Sequence, residues 1–166
     1  MKTEMKFAYA DPPYMGQAHR YSEKREVDQK ALVEQLIGYP DGWALSCSSP
    51  SLQDILNWCP SDVRVMAWVK PFAVFKPNVG VAYAWEPVII RGGRKRTRQQ
   101  PTIRDWVSAN ITLKRGLVGA KPDTFFLWLL EVFNFQDGDV LDDLFPGTGR
   151  FGEIITMIWP KSKETG

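Results

Sequence analysis

One histidine and two cysteines are all the imidazole and thiol groups in this sequence. Cys47 lies in an apolar run and Cys59 near the end of a predicted helix. Neither has a second ligand at close spacing, so the pattern offers no metal centre and reads as two reduced, buried thiols. His19 reads as an exposed loop residue. No run approaches the roughly 20 apolar residues of a membrane span. Residues 1–9 alternate charged and apolar side chains, unlike a signal peptide. These absences predict a cytoplasmic protein with no membrane partner. Strong net charge is missing too: 21 basic against 19 acidic residues leave +2, too little to announce a polyanion-binding surface by itself. There is no internal repeat, no GxGxxG and no P-loop lysine.

What is present suits one domain over residues 1–166, with 44% hydrophobic residues to fill a core. Seven tryptophans are included. Trp43, Trp58, Trp68 and Trp128 fall on apolar faces and are expected in the core, whereas Trp106, beside Arg104, is a candidate for stacking on a base. Strands are predicted over 5–10, 42–47, 63–69, 81–90 and 139–144. Pro87 marks the fourth as an edge strand or a bulge. Helices are predicted over 29–37, with Asp28 as the cap, and over 51–58, 123–135 and 150–158. Residues 101–119 lack a clear period. Strands alternating with helices argue for an α/β fold with a mostly parallel sheet, in which ligands sit at the carboxyl ends of the strands.

Two loops at such ends carry unusual chemistry. Asp11-Pro12-Pro13-Tyr14 follows the first strand. Two prolines fix the turn and remove two backbone donors, leaving carbonyls and a carboxylate as acceptors beside a flat ring. That arrangement suits an amino group that donates hydrogen bonds while its ring stacks on Tyr14. Phe145-Pro146-Gly147-Thr148-Gly149 follows the last predicted strand and opens a helix. Its glycines let backbone approach a ligand closely. The strongly biased segment 91–98 holds Arg91, Arg94, Lys95, Arg96 and Arg98 and is expected to contact phosphates, with Lys114 and Arg115 as an alternative track. Residues 91–119 are the only stretch free to act as an insert for target recognition.

Taken together, the two loops resemble the amino-methyltransferases of DNA and RNA, whose signature pairs a D/N/S-P-P-Y/F/W loop with an F-x-G-x-G loop. Asp11, Pro12, Pro13 and Tyr14 match the catalytic loop; Asp143, Phe145, Gly147 and Gly149 match the cofactor loop. Lys121-Pro122 looks like the family's KP segment beside the cofactor. The order, catalytic loop first and cofactor loop last, resembles the circularly permuted beta group. The resemblance implies a Rossmann-like fold, S-adenosylmethionine as cofactor, held by Asp11, Lys121, Pro122, Asp143, Phe145, Pro146, Gly147, Thr148 and Gly149, and methyl transfer to an exocyclic base nitrogen. Asp11 leans to N6 of adenine, and DNA is favoured over RNA. No metal or covalent nucleophile is required. Competing readings are a non-catalytic nucleic-acid-binding relic of the fold and methylation of a protein glutamine amide.

The sequence departs from that family in one respect. Members continue past the cofactor helix into a strand ending in an acidic residue for the ribose hydroxyls, and here little chain follows Gly152. The expectation is a sheet of about five strands lacking the outer ones, with strand 139–144 as an open edge that a second copy or another partner would cover.

Overall fold

The computed structural model describes residues 3–20, 25–72, 76–111 and 120–165. Within them the chain forms β1 (Lys6–Ala10), α1 (Gln29–Ile37), β2 (Gly42–Ser46), α2 (Leu52–Trp58), β3 (Arg64–Val69), β4 (Trp85–Gly92), β5 (Trp106–Ser108), α3 (Asp123–Phe133), β6 (Val140–Asp143), α4 (Arg150–Ile158) and β7 (Lys163–Thr165). One sheet holds all seven strands in the order β5-β3-β4-β2-β1-β6-β7. Only β4 runs against its neighbours; the other pairings are parallel.

The alternation of side chains decides how the helices pack. Phe7 and Tyr9 of β1, with Val88 and Ile90 of β4, face a core built with α3 and α4. Ala8 and Ala10, with Trp43, Leu45 and Ile89, face α1 and α2 on the other side. The first core is largely aromatic. Phe7 stacks on Phe133 with ring centroids 4.9 Å apart, and Phe126 on Phe151 at 4.5 Å, which ties α3 to α4. Trp43, Trp68 and Trp128 are buried as expected. Asp28 caps α1 by accepting from Ala31 N at 3.0 Å.

Three expectations need correction. The strand 139–144, seen as β6, is not an open edge, because β7 pairs with it from Val140↔Lys163 to Asp142↔Thr165. A three-residue strand carries no readable period, so it escaped detection. The sheet therefore has seven strands rather than about five, and an outer strand does follow the cofactor-type loop. The reason for expecting a partner over β6 falls with that edge. Second, β4 is internal although it contains Pro87. On the β2 side the Pro87 carbonyl accepts from Cys47 N at 3.2 Å, one residue past the end of β2. The mate of that bond would run from the residue 87 nitrogen to the Cys47 carbonyl, so the one donor that proline lacks is lost at the very end of the β2 ladder. Third, 101–119 is not wholly irregular, since Trp106–Ser108 adds β5 beside β3. Residues 112–119, with Lys114 and Arg115, lie outside the described residues.

The basic segment leaves β4 at the amino ends of the parallel strands, where Gly92 pairs with Gly42 and Gly42 with Phe7. The turn there requires glycine: Gly92 has φ +75°, and a Cβ on it would lie 2.7 Å from the Asp41 carbonyl oxygen. Arg94 turns inward. Its Nη2 donates to Asp139 Oδ1 at 2.6 Å and to the Thr3 carbonyl at 3.2 Å. Asp139 also accepts from Met5 N and Gln136 N, so one buried carboxylate pins the starts of β1 and β6. Arg96 donates to the Glu131 carbonyl in the last turn of α3 at 2.8 Å, where a cation also suits the helix dipole. Arg91 pairs with Asp62 at 2.8 Å. Removing the Arg94 guanidinium strands a buried charge, so Arg94→Ala should lower the unfolding free energy by about 3 kcal/mol. Denaturant titration at low and high salt checks this; an unchanged midpoint would return Arg94 to the phosphate-contacting role first expected of it.

Candidate active site

The carboxyl edge of the sheet gathers the two unusual loops. β1 and β6 are neighbours in register, Tyr9 opposite Asp143, and Leu144 N donates to the Tyr9 carbonyl at 2.9 Å. Asp11 to Tyr14 and Phe145 to Gly149 therefore leave adjacent strands at the same height, although more than 130 residues separate them in the chain.

Asp11 is held by a lysine. Lys121 Nζ lies 3.0 Å from Asp11 Oδ2 and 3.3 Å from Glu86 Oε2, with 3% of its side chain exposed. Glu86 also takes Lys70 Nζ at 2.6 Å and accepts a very short hydrogen bond from the Tyr14 hydroxyl. Both ammonium groups lie over the Trp68 ring, at 5.1 Å for Lys121 and 5.2 Å for Lys70. Two carboxylates and two ammonium groups thus balance in a desolvated cluster that also fixes Tyr14. Burial raises the Asp11 carboxyl, against the downward pull of Lys121. Burial pushes Glu86 the same way, but Lys121 and Lys70 hold it below its ordinary value. Burial lifts the Tyr14 phenol well above its usual range, and Glu86 adds to the rise, so the ring stays neutral.

The prolines make the turn, but not every acceptor faces outward. The Pro13 carbonyl accepts from Gln29 Nε2 at 3.1 Å, and the Tyr14 carbonyl from Gln17 N at 2.8 Å. α1 thereby anchors the loop.

The second loop is a cradle with acidic walls. Gly147 (φ +55°) and Gly149 (φ +76°) sit in the left-handed region, and a Cβ on either would meet no atom within 4 Å. The glycines are needed for the turn, and the space above them is open. Pro146, Gly147 and Thr148 are exposed, while Asp143 beneath them is buried. Burial lifts the Asp143 carboxyl to about 7; a hydrogen bond from Phe145 N opposes the rise, and Glu164 and Asp11 reinforce it. Glu164 of β7 occupies the space that a Cβ on residue 152 would fill, so Gly152 makes room for it. Glu164 Oε1 is buried and has no hydrogen-bond partner among the described residues. An unsatisfied acceptor and carboxyls raised by burial fit a ligand that brings hydroxyl donors and positive charge.

Of the residues expected at the site, Asp11 to Tyr14, Lys121, Pro122, Asp143 and Phe145 to Gly149 come together here, Pro122 as the cap of α3. The five basic residues do not. Glu86 and Gly92 are separated by six strand steps, about 20 Å, so the segment from Arg91 onward lies at the far end of the sheet. His19 is exposed. Sequence reasoning missed Glu86, Lys70, Gln29 and Glu164. The one signal available was a lone carboxylate, Glu86, inside the apolar run from Trp85 to Ile90.

The solved structure of M1.HpyAVI in complex with SAM is similar to this chain at a TM-score of 0.62 and 13% identity, over 97% of this chain and 80% of that one. A second structure of M1.HpyAVI gives 0.62 and 12%, over 97% and 79%. The chain shares the α/β fold of these structures. At such identities the likeness is one of fold. No protein-family model and no curated protein matches the chain. Among the described residues, no helix is long and apolar enough to cross a membrane.

Asp143 gives this site a testable cost. Its folded carboxyl titrates near 7 and an unfolded one near 4. Between those values the folded state holds the extra proton, so this group's contribution to stability falls as pH rises through the window. Asp143→Asn keeps an acceptor for Phe145 N and removes the charge. It should raise stability at pH 8 by up to about 4 kcal/mol and by little at pH 4. Thermal melts at the two pH values check it; an equal shift at both would reject the titration assigned to Asp143.

Proposed function

We propose that this protein transfers a methyl group from S-adenosylmethionine to the exocyclic amino group of a nucleic-acid base, with N6 of adenine in DNA as the favoured target. The observation that carries the reading is the juxtaposition at adjacent strand ends: a buried carboxylate, Asp11, held by Lys121, beside an open glycine cradle walled by Asp143 and Glu164. The fold shared with a protein solved in complex with SAM supports it.

The cofactor supplies an electrophilic methyl on a sulfonium. Glu164 would accept from ribose hydroxyls, and Asp143 would face a cationic ligand across the cradle. With Oδ2 of Asp11 on Lys121, Oδ1 is the oxygen to which the amine would donate. That hydrogen bond draws the amino group out of conjugation and frees its lone pair. As the amine takes the methyl that the cofactor would supply, Asp11 would accept the proton the nitrogen releases and pass it to water. Tyr14, fixed by Glu86, stacks on a base turned out of its duplex.

Two outcomes test this reading. Asp11→Ala should lose about 10²-fold or more in transfer of labelled methyl to DNA, measured at saturating cofactor on protein that still melts cooperatively. Turnover near that of the parent would remove Asp11 from its role, and a parent that binds cofactor and DNA without transfer would favour the relic. Cofactor affinity should also rise from pH 6 to pH 8, because a cationic ligand favours ionised Asp143, and binding should release a proton to buffer. An affinity flat across that range would remove Asp143 from the cradle.

A further inference from the structure

The connection between β3 and β4 presents large apolar side chains to solvent. Phe72 is 70% exposed, Val81 85%, Tyr83 61% and Trp85 41%. Trp106, on the neighbouring β5, is 42% exposed, with the Arg104 guanidinium 5.4 Å from its ring centroid. Solvated aromatics cost free energy, and their concentration in one place marks a contact surface.

We propose that this surface docks an unpaired nucleic-acid strand, whose bases stack on Phe72, Tyr83, Trp85 and Trp106. Charge selects the occupant. No acidic residue occurs between Asp62 and Glu86, Lys76 and Arg104 are exposed, and Asp105, beside Trp106 in the chain, is paired with Arg64 at 2.7 Å. Exposed aromatics interleaved with cations, with the Asp105 carboxylate already paired to Arg64, fit a strand of bases and phosphates. A second copy seated by two-fold symmetry would bring these cations toward their own equivalents.

Position selects the route. Val69 pairs with Trp85, and Lys70 N donates to the Ala84 carbonyl at 2.8 Å, so the connection rises from the same carboxyl edge as Asp11. Trp85 immediately precedes Glu86, whose carboxylate holds Tyr14. A strand lying on the rings would deliver a base toward the catalytic loop. The basic segment expected to track phosphates lies at the opposite edge and offers no such path.

The inference rests on the proposed base-modifying function, so cofactor and strand are measured separately on the full chain. The probes are S-adenosylmethionine by calorimetry and a fluorescent single-stranded DNA oligonucleotide by anisotropy. Phe72→Ala and Tyr83→Ala should each weaken the oligonucleotide by about five- to a hundredfold, the loss a stacking ring gives. Cofactor affinity and melting temperature should stay unchanged, and Phe72→Trp should restore binding. Oligonucleotide affinity equal to the parent's in both alanine variants overturns the proposal, as does a parent with no oligonucleotide affinity. Light scattering that shows a dimer, dissociated by these variants at unchanged oligonucleotide affinity, assigns the rings to a second copy and also overturns it. If methyl transfer fails while both alanine variants lose the strand, the docking surface stands and the enzymatic reading alone falls.

Discussion

A buried ammonium cannot be left alone, and much of the carboxyl edge of this sheet is arranged around one. Lys121 has almost no contact with water, so its charge is tolerable only while Asp11 and Glu86 stay beside it. Glu86 would be equally costly without Lys70 and Lys121. The consequence is positional. Asp11 comes from the end of β1, Glu86 from the start of β4, Lys70 from the end of β3 and Lys121 from the residues before α3. Loss of any one leaves the others with unbalanced charge in a poorly solvated site. The cluster therefore fixes the catalytic-type loop against three elements, and Tyr14 is carried with it through the hydrogen bond to Glu86. Packing alone would place a proline-rich turn less strictly.

The parts legible in the sequence were those with a local signature. α1 and α4 begin and end where capping and apolar spacing predict. The loops at 11–14 and 145–149 announce themselves by residue type, and parallel α/β topology makes their meeting expected. What was hidden depends on pairs distant in the chain. β7 has three residues, too few for a period, and is identified only by its pairing with β6. Pro87 read as an edge signal because the ladder's end beside Cys47 cannot be seen locally. Glu86 and Lys121 are 35 residues apart by number, and neither spacing nor composition joins them.

The basic segment shows why composition misleads in a particular way. Five cations in eight residues look like a polyanion track, yet Arg94 and Arg96 spend their donors inside the molecule. Their partners are a carboxylate that fastens two strand starts and a carbonyl at the end of α3. Arginine suits such work because its planar fork reaches several acceptors at once and stays charged when buried. A charge run is therefore evidence of a binding face only once its partners are known. The two ends of this sheet divide the labour: arginines knit the amino end, while the carboxyl end holds the balanced cluster, the open cradle and the exposed rings.

Stability and chemistry pull in opposite directions at the cradle. Asp143 and Glu164 are both raised by burial, and Asp143 feels Glu164 and Asp11 in addition. Lys121 answers Asp11 at the other loop, so within the described geometry the excess of negative charge lies toward Gly147 and Gly149 rather than toward Tyr14. Folding gains nothing from that excess, because ionising these carboxyls in a shielded site is unfavourable. A ligand with a positive centre and hydroxyl donors would relieve both the charge and the orphaned oxygen of Glu164. An arrangement that is unfavourable when empty and satisfied when filled binds by relief of a cost already present in the fold. The same relief would be absent for a neutral ligand of similar shape. Under the proposed function, the acidic cradle would select for charge on one side of the site, and the neutral cluster around Asp11 would leave the other side to an uncharged amine.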